Sequence, residues 1–334
     1  MLVIRKKAYS RVGLMGNPSD GYGGKTISLI LKNFAADVVL YEWEDLEILG
    51  SLEDQSRFES MNALVEDVKL HGYYGGIRLV KATIKKFAEY CDRHQIAVHN
   101  RNFSIRYDSD IPRQVGLGGS SAIIVATLRC LMEFYGVSIP LEVQPSLALS
   151  VETEELGIVA GLQDRAIQVY EGLLYMDFSE ESTRDIEGFS CGRYAPLEVG
   201  KLPFVYVAYS ELAGEPTEVF HNDVRERFDR GEPSVVSAMR DFARFTDEAK
   251  EALDSGDGVM FGKLMDRNFD KRKEICQLPR GQVDMIEAAR SCGATAKFAG
   301  SGGAIVGTYQ DADVFLAIQN CLNELGCRVI QVKA

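Results

Sequence analysis

The chain has 334 residues, of which 46% are hydrophobic and 26% are charged, a composition typical of a soluble globular protein of about two domains. Its formal net charge of -12 argues against a dedicated nucleic-acid-binding protein, because there is no basic excess to neutralise a phosphate backbone. That charge still permits a local positive site for an anionic small molecule.

Cysteine and histidine usage adds two expectations. The seven cysteines form no C-x-x-C pair, so we expect reduced thiols in a cytoplasmic protein. The four histidines show no metal-ligand spacing. The start of the chain does not have the order of a signal peptide, and no apolar run approaches the length of a membrane-spanning helix.

Hydrophobic periodicity predicts mixed strands and helices along the whole chain. Strands are expected within residues 2–15, 26–43, 96–112 and 201–210, and helices over 56–70, 75–94, 119–137, 145–158, 233–253 and 258–275. Residues 161–178 read as a helix that continues into a strand, and a further helix and strand end the chain. This mixture predicts an α+β fold in two lobes, residues 1–195 and 196–334, and not a doubly wound sheet.

The first glycine-rich stretch, GNPSDGYGGKTISLIL, covers residues 16–31 and ends like a phosphate-binding P-loop. A P-loop needs a glycine five positions before the glycine that precedes its lysine. Counting back from Gly24 gives Ser19, and starting from Gly16 puts Tyr22 where lysine is required. Both registers fail, so a tight turn after a strand is the better interpretation.

The second glycine-rich stretch, IPRQVGLGGSSAIIVATL, has the composition of an anion site. Gly116, Gly118 and Gly119 let the backbone approach a ligand closely, and the helix predicted to follow directs its first N–H groups and its dipole at the same place. Ser120 and Ser121 can cap that helix or contact a metal-bound phosphate. An ordinary helix cap with a glycine turn remains an alternative.

Three motifs in order resemble the GHMP kinases, the superfamily of galactokinase, homoserine kinase, mevalonate kinase and phosphomevalonate kinase. The stretch from Pro112 to Ala122 resembles the central motif P-x-x-x-G-L-G-S-S-A, with Gly119 in the position of the first serine. RVGLMGNPSDGYGG, which begins at Arg11, resembles the N-terminal motif, and KFAGSGGA, from Lys297 to Ala304, resembles the C-terminal one. Together with ELGIVAGLQDRAIQVYEGL and LMDRNFDKRK, these stretches are most similar to the glucuronokinase branch, which phosphorylates D-glucuronate at its anomeric carbon.

The resemblance implies a fold, co-substrates and binding residues. It implies an N-terminal α/β domain, a ferredoxin-like C-terminal domain, and ATP and Mg²⁺ as reactants with a small sugar as the partner. The nucleotide phosphates are then expected at Gly116, Leu117, Gly118, Gly119, Ser120 and Ser121. Sugar contacts are expected from Asn17 and Asp20, and from a closing loop of Gly300, Ser301, Gly302 and Gly303.

The same resemblance implies the catalytic roles. Asp164 matches the catalytic aspartate, which accepts or orients the acceptor hydroxyl, and Arg11 is expected to hold it ionised. Ser120 and Glu152 are the expected Mg²⁺ ligands. From the residues alone a helix cap is the better interpretation of Asp164, and a solvated helix face that of Glu152. Glu154 and Glu155 are alternatives to Glu152 as the metal ligand.

Several points stay open on the sequence. A uronate carboxylate requires a cation, and six basic residues compete for that role without a spacing argument to separate them: Lys25, Arg165, Arg267, Lys271, Arg272 and Lys273. A kinase for another sugar, such as galactose or a heptose phosphate, and a non-catalytic nucleotide-binding protein are the alternative functions. No membrane or nucleic-acid partner is expected.

Overall fold

The structure is a computed structural model that describes residues 2–50, 75–210 and 218–334, without the side chains of residues 218–223. The helix predicted over residues 56–70 lies outside the described residues. Most of the other predicted elements are present. No helix among the described residues is long and apolar enough to cross a membrane.

The first sheet is built around one strand of 19 residues, which is more than three times the usual strand length and is rich in β-branched and apolar residues. That strand is β2, and it pairs antiparallel with β1, β4 and β5. The members of this sheet are β1 (Val3–Met15), β2 (Lys25–Trp43), β3 (Glu47–Leu49), β4 (Asn102–Ser109) and β5 (Leu173–Asp177), with one more strand, β8 (Arg193–Leu197), at the edge. The short strands β6 (Arg184–Ile186) and β7 (Phe189–Cys191) form a separate hairpin.

The same half of the chain has four helices: α1 (Gly76–Arg93), α2 (Gly119–Tyr135), α3 (Val143–Ser150) and α4 (Leu162–Tyr170). Helix α3 packs on the other helices and on β7. Helix α2 is apolar on nearly every side, so it lies in the interior against β1 and β2. Residues Val151–Glu155 follow α3 as a single π-helical turn, an irregularity that is common at functional sites.

The second sheet contains β9 (Phe204–Ser210), β10 (Lys297–Phe298), β11 (Ala304–Tyr309) and β12 (Cys327–Gln331) in the order β10-β11-β9-β12. Its helices are α5 (Glu218–Asp229), α6 (Pro233–Ser255), α7 (Gly258–Ile275), α8 (Arg280–Ser291) and α9 (Ala312–Asn323). Helices precede β10, and α9 connects β11 to β12, so the sheet has the ferredoxin-like strand arrangement that was predicted.

Residues of both sheets contribute to one large hydrophobic cluster, and the second sheet also has a cluster of its own. Helix α6 packs against β1 and β2 as well as against α7, and its buried aromatic residues Phe242 and Phe245 belong to the same cluster as the core of the first sheet. The last strand of the first sheet ends at Leu197 and the first strand of the second begins at Phe204. The shared core places residues from both ends of the chain beside one another.

Candidate active site

A buried arginine–aspartate pair lies at the centre of the candidate site. Arg11, on β1, donates from Nε and Nη2 to the two carboxylate oxygens of Asp164 in the first turn of α4, both at 2.6 Å. Arg11 is only 5% exposed. Burial alone would raise the pKa of Asp164, but the charges of Arg11 and Arg165 and the two hydrogen bonds outweigh it and hold that pKa below its usual value. Asp164 is therefore ionised at neutral pH.

The two glycine-rich loops predicted for nucleotide and substrate meet beside this pair. Arg11 Nη1 donates to the carbonyl oxygen of Gly116 at 2.5 Å and to that of Ala299 at 3.4 Å. A Cβ on Gly300 would lie 2.4 Å from the Gly116 oxygen, and a Cβ on Gly116 would lie 2.8 Å from the Gly302 oxygen. The close contact of the two loops therefore requires glycine on both sides.

The start of α2 has the features of a phosphate site. Gly118 is the N-cap residue, with φ of 77° in the left-handed region, and it has no side chain to occupy the helix end. The first N–H groups of a helix have no partner within the helix, so those of Gly119, Ser120 and Ser121 are directed at whatever lies before them. This cradle fits the triphosphate of ATP.

The two expected Mg²⁺ ligands lie together. Ser120 Oγ donates to Glu152 Oε1 at 2.8 Å, and Glu152, on the π-helical turn, is only 2% exposed. The hydroxyl of Ser121 donates instead to the carbonyl oxygen of Gly118 at 3.1 Å. The second carboxylate oxygen of Glu152 pairs with Arg165. Ser120, and not Ser121, therefore faces Glu152, and one serine with one carboxylate would suit Mg²⁺, which keeps water and phosphate oxygens as its other ligands.

The predicted sugar-binding turn is held from the second half of the chain. Asn17 Nδ2 donates to the Gly300 carbonyl oxygen at 3.4 Å, and its Oδ1 accepts from Lys297 Nζ at 2.5 Å. Asn268, on α7, accepts from the Gly16 N–H at 2.7 Å and donates to the Asn17 carbonyl oxygen at 3.1 Å. These contacts fix the Asn17 side chain next to the loop of residues 300–303.

Asp20 provides a second carboxylate near Asp164, in a different electrostatic environment. Burial, and then repulsion from the Asp164 carboxylate, raise the pKa of Asp20 to about 6, against the opposing effect of Arg11. Two neighbouring carboxylates with pKa values displaced in opposite directions are typical of catalytic sites. Asp20 is therefore able to hold or release a proton near neutral pH.

The Asp20→Asn variant is expected to be more stable than the wild type at neutral pH. A raised carboxyl pKa contributes stability that is complete below the unfolded value of 3.8 and is lost as the pH rises through about 6. The variant avoids this loss, so its unfolding free energy should exceed that of the wild type by at most about 3 kcal/mol at pH 7.5. The difference should vanish below about pH 4 in denaturant titrations without ligands.

Asp177→Asn is the matched control, and its expected change in stability has the opposite sign. Burial raises the pKa of Asp177, but hydrogen bonds donated by Ser179 and Ser182 outweigh it and lower that pKa overall. Its asparagine variant should therefore lose stability at neutral pH. A wild type and an Asp20→Asn variant with the same pH dependence of stability would contradict the raised pKa.

Several residues that support the site carried no role in the sequence interpretation. Lys297 lies inside the third motif but is fully buried, and its Nζ donates to the carbonyl oxygens of Gly13 and Phe298 as well as to Asn17. Gln168 Nε2 donates to the Gly118 carbonyl oxygen at 2.8 Å and so braces the start of α2. For Asn268 the only signal was its place in the stretch LMDRNFDKRK.

Comparison with known sequences places both halves of the chain in one family. Residues 78–172 match the GHMP kinases N terminal domain, and residues 249–326 match the GHMP kinases C terminal domain. Glucuronokinase 1 of Arabidopsis thaliana is 42% identical over 310 residues, which cover 91% of this chain and 84% of the relative. Probable glucuronokinase 2 of the same plant is 43% identical over 312 residues, with the same coverage.

Solved structures support the same fold. The crystal structure of Lactococcus lactis galactokinase complexed with galactose superposes with a TM-score of 0.74, covering 99% of this chain and 93% of the other, at 15% identity. At this low sequence identity, the similarity shows only that the two proteins share a fold. With two matched domains and relatives more than 40% identical over nine-tenths of its length, the chain belongs to the GHMP kinases and is an ATP-dependent sugar kinase.

Proposed function

We propose that the protein transfers the γ-phosphoryl group of ATP, with Mg²⁺, to the anomeric hydroxyl of D-glucuronate. The observation that carries the proposal is the ionised Asp164 carboxylate, held by Arg11 where the two glycine-rich loops meet. The similarity to the glucuronokinases of Arabidopsis thaliana supports the choice of sugar.

In this proposal the N-terminal end of α2 binds the phosphates of ATP. The amides of residues 119–121 donate to phosphate oxygens. Gly116 and Gly118 have a positive φ, which favours glycine, and their lack of side chains leaves room for the phosphates. Ser120 and Glu152 hold Mg²⁺, which supplies charge neutralisation on the transferring group. Arg165 neutralises the oxygen of Glu152 that faces away from Ser120.

Asp164 accepts a hydrogen bond from the anomeric hydroxyl and takes its proton as the new P–O bond forms. Arg11 keeps that carboxylate oriented and ionised through two hydrogen bonds. Asn17 and Asp20 bind other hydroxyls of the sugar, and Gly300, Ser301, Gly302 and Gly303 close over it. Phosphoryl transfer depends mostly on positioning and charge, which these groups provide.

A division of labour between the two halves of the chain is part of the proposal. Residues 1–195 bind ATP and most of the sugar, and residues 196–334 complete the sugar site with α7 and the loop of residues 300–303. We place the reaction in the cytoplasm, where ATP is available.

A substrate panel tests the proposed function. The purified protein is incubated with ATP, Mg²⁺ and one sugar at a time: D-glucuronate, D-galacturonate, D-galactose, D-glucose or a heptose phosphate. Phosphorus NMR then identifies the carbon that receives the phosphate. Glucuronate 1-phosphate as the main product supports the proposal, whereas a neutral sugar phosphate formed in preference to it would refute the choice of substrate.

The Ser120→Ala variant is expected to require more Mg²⁺. Removing the hydroxyl takes away one of the two proposed protein ligands, so the Mg²⁺ concentration for half-maximal rate should rise by roughly 10- to 100-fold. The rate is measured against Mg²⁺ at a fixed ATP concentration. Ser138→Ala, on an exposed residue, is the control and should follow the wild-type curve. An unchanged Mg²⁺ requirement in Ser120→Ala would contradict the assignment of the metal site.

A further inference from the structure

Uronate substrates differ from neutral hexoses by a carboxylate, and that difference requires a cation in the sugar site. The inference below rests on the proposed function and concerns which residue supplies that cation. The sequence left six basic residues in competition for it. Their surroundings in the structure separate them.

Five of the six already have an acidic partner. The pairs are Lys25 with Asp247, Arg165 with Glu152, Arg267 with Glu248, Lys271 with Glu274, and Lys273 with Glu287. A cation already neutralised by its own carboxylate gains less from a second anion. Arg267, Lys271 and Lys273 are also on the solvated side of α7, where the attraction is screened.

Arg272 differs from the other five. It is only 6% exposed, and it forms no ion pair with a carboxylate in the part of the chain that the structure describes. Its Nη1 donates to the Gly300 carbonyl oxygen at 2.8 Å and its Nη2 to that of Ser301 at 3.1 Å. Its Nε is buried without a hydrogen-bond partner among those residues. Its other neighbours are the Cys276 side chain and the ring of Phe298, whose centroid lies 5.2 Å from the guanidinium carbon. A buried guanidinium whose partners are neutral is costly unless an anion joins it.

The position of Arg272 fits the sugar site. The Gly300 carbonyl oxygen that accepts from Arg272 also accepts from Asn17. A cavity of about 20 Å³ lies against Arg272, and its lining includes Pro18, Tyr22, Gln282 and Ser301. Arg272 therefore sits between the turn that carries Asn17 and Asp20 and the closing loop.

The charge around Arg272 also favours an anion. Lys297 Nζ is buried nearby, and its three hydrogen-bond acceptors are all neutral oxygens. Burial, and then the positive charges of Arg272 and Arg11, lower the pKa of Lys297 well below its usual value. Burial lowers the pKa of Arg272, and the opposing effects come first from Cys276 and then from the carboxylate of Asp20. An incoming carboxylate would relieve repulsion among these cations.

We propose that Arg272 binds the carboxylate of the sugar substrate and thereby makes this kinase specific for a uronate over an uncharged sugar. Arg272 is one helical turn from Asn268 on α7. The same face of that helix therefore holds the sugar-binding turn through Asn268 and binds the substrate carboxylate through Arg272. The planar guanidinium suits a carboxylate better than an ammonium does.

The test compares D-glucuronate with D-glucuronamide, which replaces the carboxylate by a neutral amide of similar size. kcat/KM is measured for both sugars with the wild type, Arg272→Gln, Arg272→Lys and the matched control Arg267→Gln. The wild type and the control should prefer the acid by roughly 100-fold, as expected for a desolvated charge pair. The preference should fall to within about 5-fold in Arg272→Gln and be intermediate in Arg272→Lys.

Each outcome decides the proposal. If Arg272→Gln lowers kcat/KM equally for both sugars, Arg272 only supports the loop of residues 300–303, and the inference is wrong while the proposed function stands. A wild type that does not distinguish acid from amide overturns the inference without any variant, even if Arg272→Gln fails to fold. A wild type that does not phosphorylate glucuronate at all, but does phosphorylate a neutral sugar, refutes the proposed function and this inference with it.

Discussion

Replacing Asp164 with asparagine is expected to lower kcat for sugar phosphorylation by roughly 10²- to 10⁴-fold. The amide does not take the proton of the acceptor hydroxyl, and it loses the charge-assisted pair that Arg11 makes with both carboxylate oxygens. Initial rates are measured at saturating ATP and sugar, below the thermal midpoint of the variant. The loss should appear in kcat, because the interaction is strongest as the hydroxyl becomes a nucleophile.

The control for this variant is Asp284→Asn. Asp284 lies on α8 and pairs with Arg280 at the surface. Its asparagine variant should keep the wild-type kcat. Equal rates for the wild type and Asp164→Asn would show that the aspartate is not catalytic and that its pair with Arg11 is only structural. It does not cap α4, whose N-cap residue is Gly161.

Arg11→Met is expected to lower the unfolding free energy by about 3–5 kcal/mol, because it leaves the Asp164 carboxylate without its partner in the interior. It also removes the hydrogen bond to the Gly116 carbonyl oxygen, which ties β1 to the phosphate loop. Activity should fall as well, since the pKa of Asp164 is no longer held down. Denaturant unfolding and kcat are both measured.

The double variant Arg11→Met/Asp164→Asn separates stability from catalysis. Removing both charges avoids a buried unpaired ion, so the double variant should be more stable than Arg11→Met alone while staying inactive. The contribution of Asp164 is present above its unfolded pKa and is lost as the pH falls through its lowered folded pKa, so wild type and double variant should converge only in acid. Additive losses in the two single variants would mean that Arg11 and Asp164 do not act as a pair.

The sequence predicted the fold well where local pattern decides it. Helix α7 has the bounds that its spacing predicted, and α2 follows its glycines as expected. The family, the α+β fold and sugar kinase activity, which rested on three ordered motifs, are confirmed. The short strands β3 and β6–β8 were not predicted, because three to five residues give little periodicity, and the pairing of β3 and β8 depends on distant partners.

Within the site, the motifs indicated residue types but not their contacts. Ser120 and Ser121 are adjacent in the sequence, and only the turn of α2 decides that Ser120 faces Glu152. The sequence likewise does not show which basic residue of α7 faces the site. Helix geometry separates Arg272 from its neighbours, because it alone of Lys271, Arg272 and Lys273 points into the interior. The functional roles assigned to these residues stay predictions.

The partners of Arg11 have a consequence for the synthesis of the protein. They lie 105, 153 and 288 positions further along the chain. A ribosome-bound chain therefore carries this arginine from the beginning and acquires its last acceptor only when residue 299 has emerged. The full set of contacts to this arginine should thus form only late in synthesis, and catalytic competence with it.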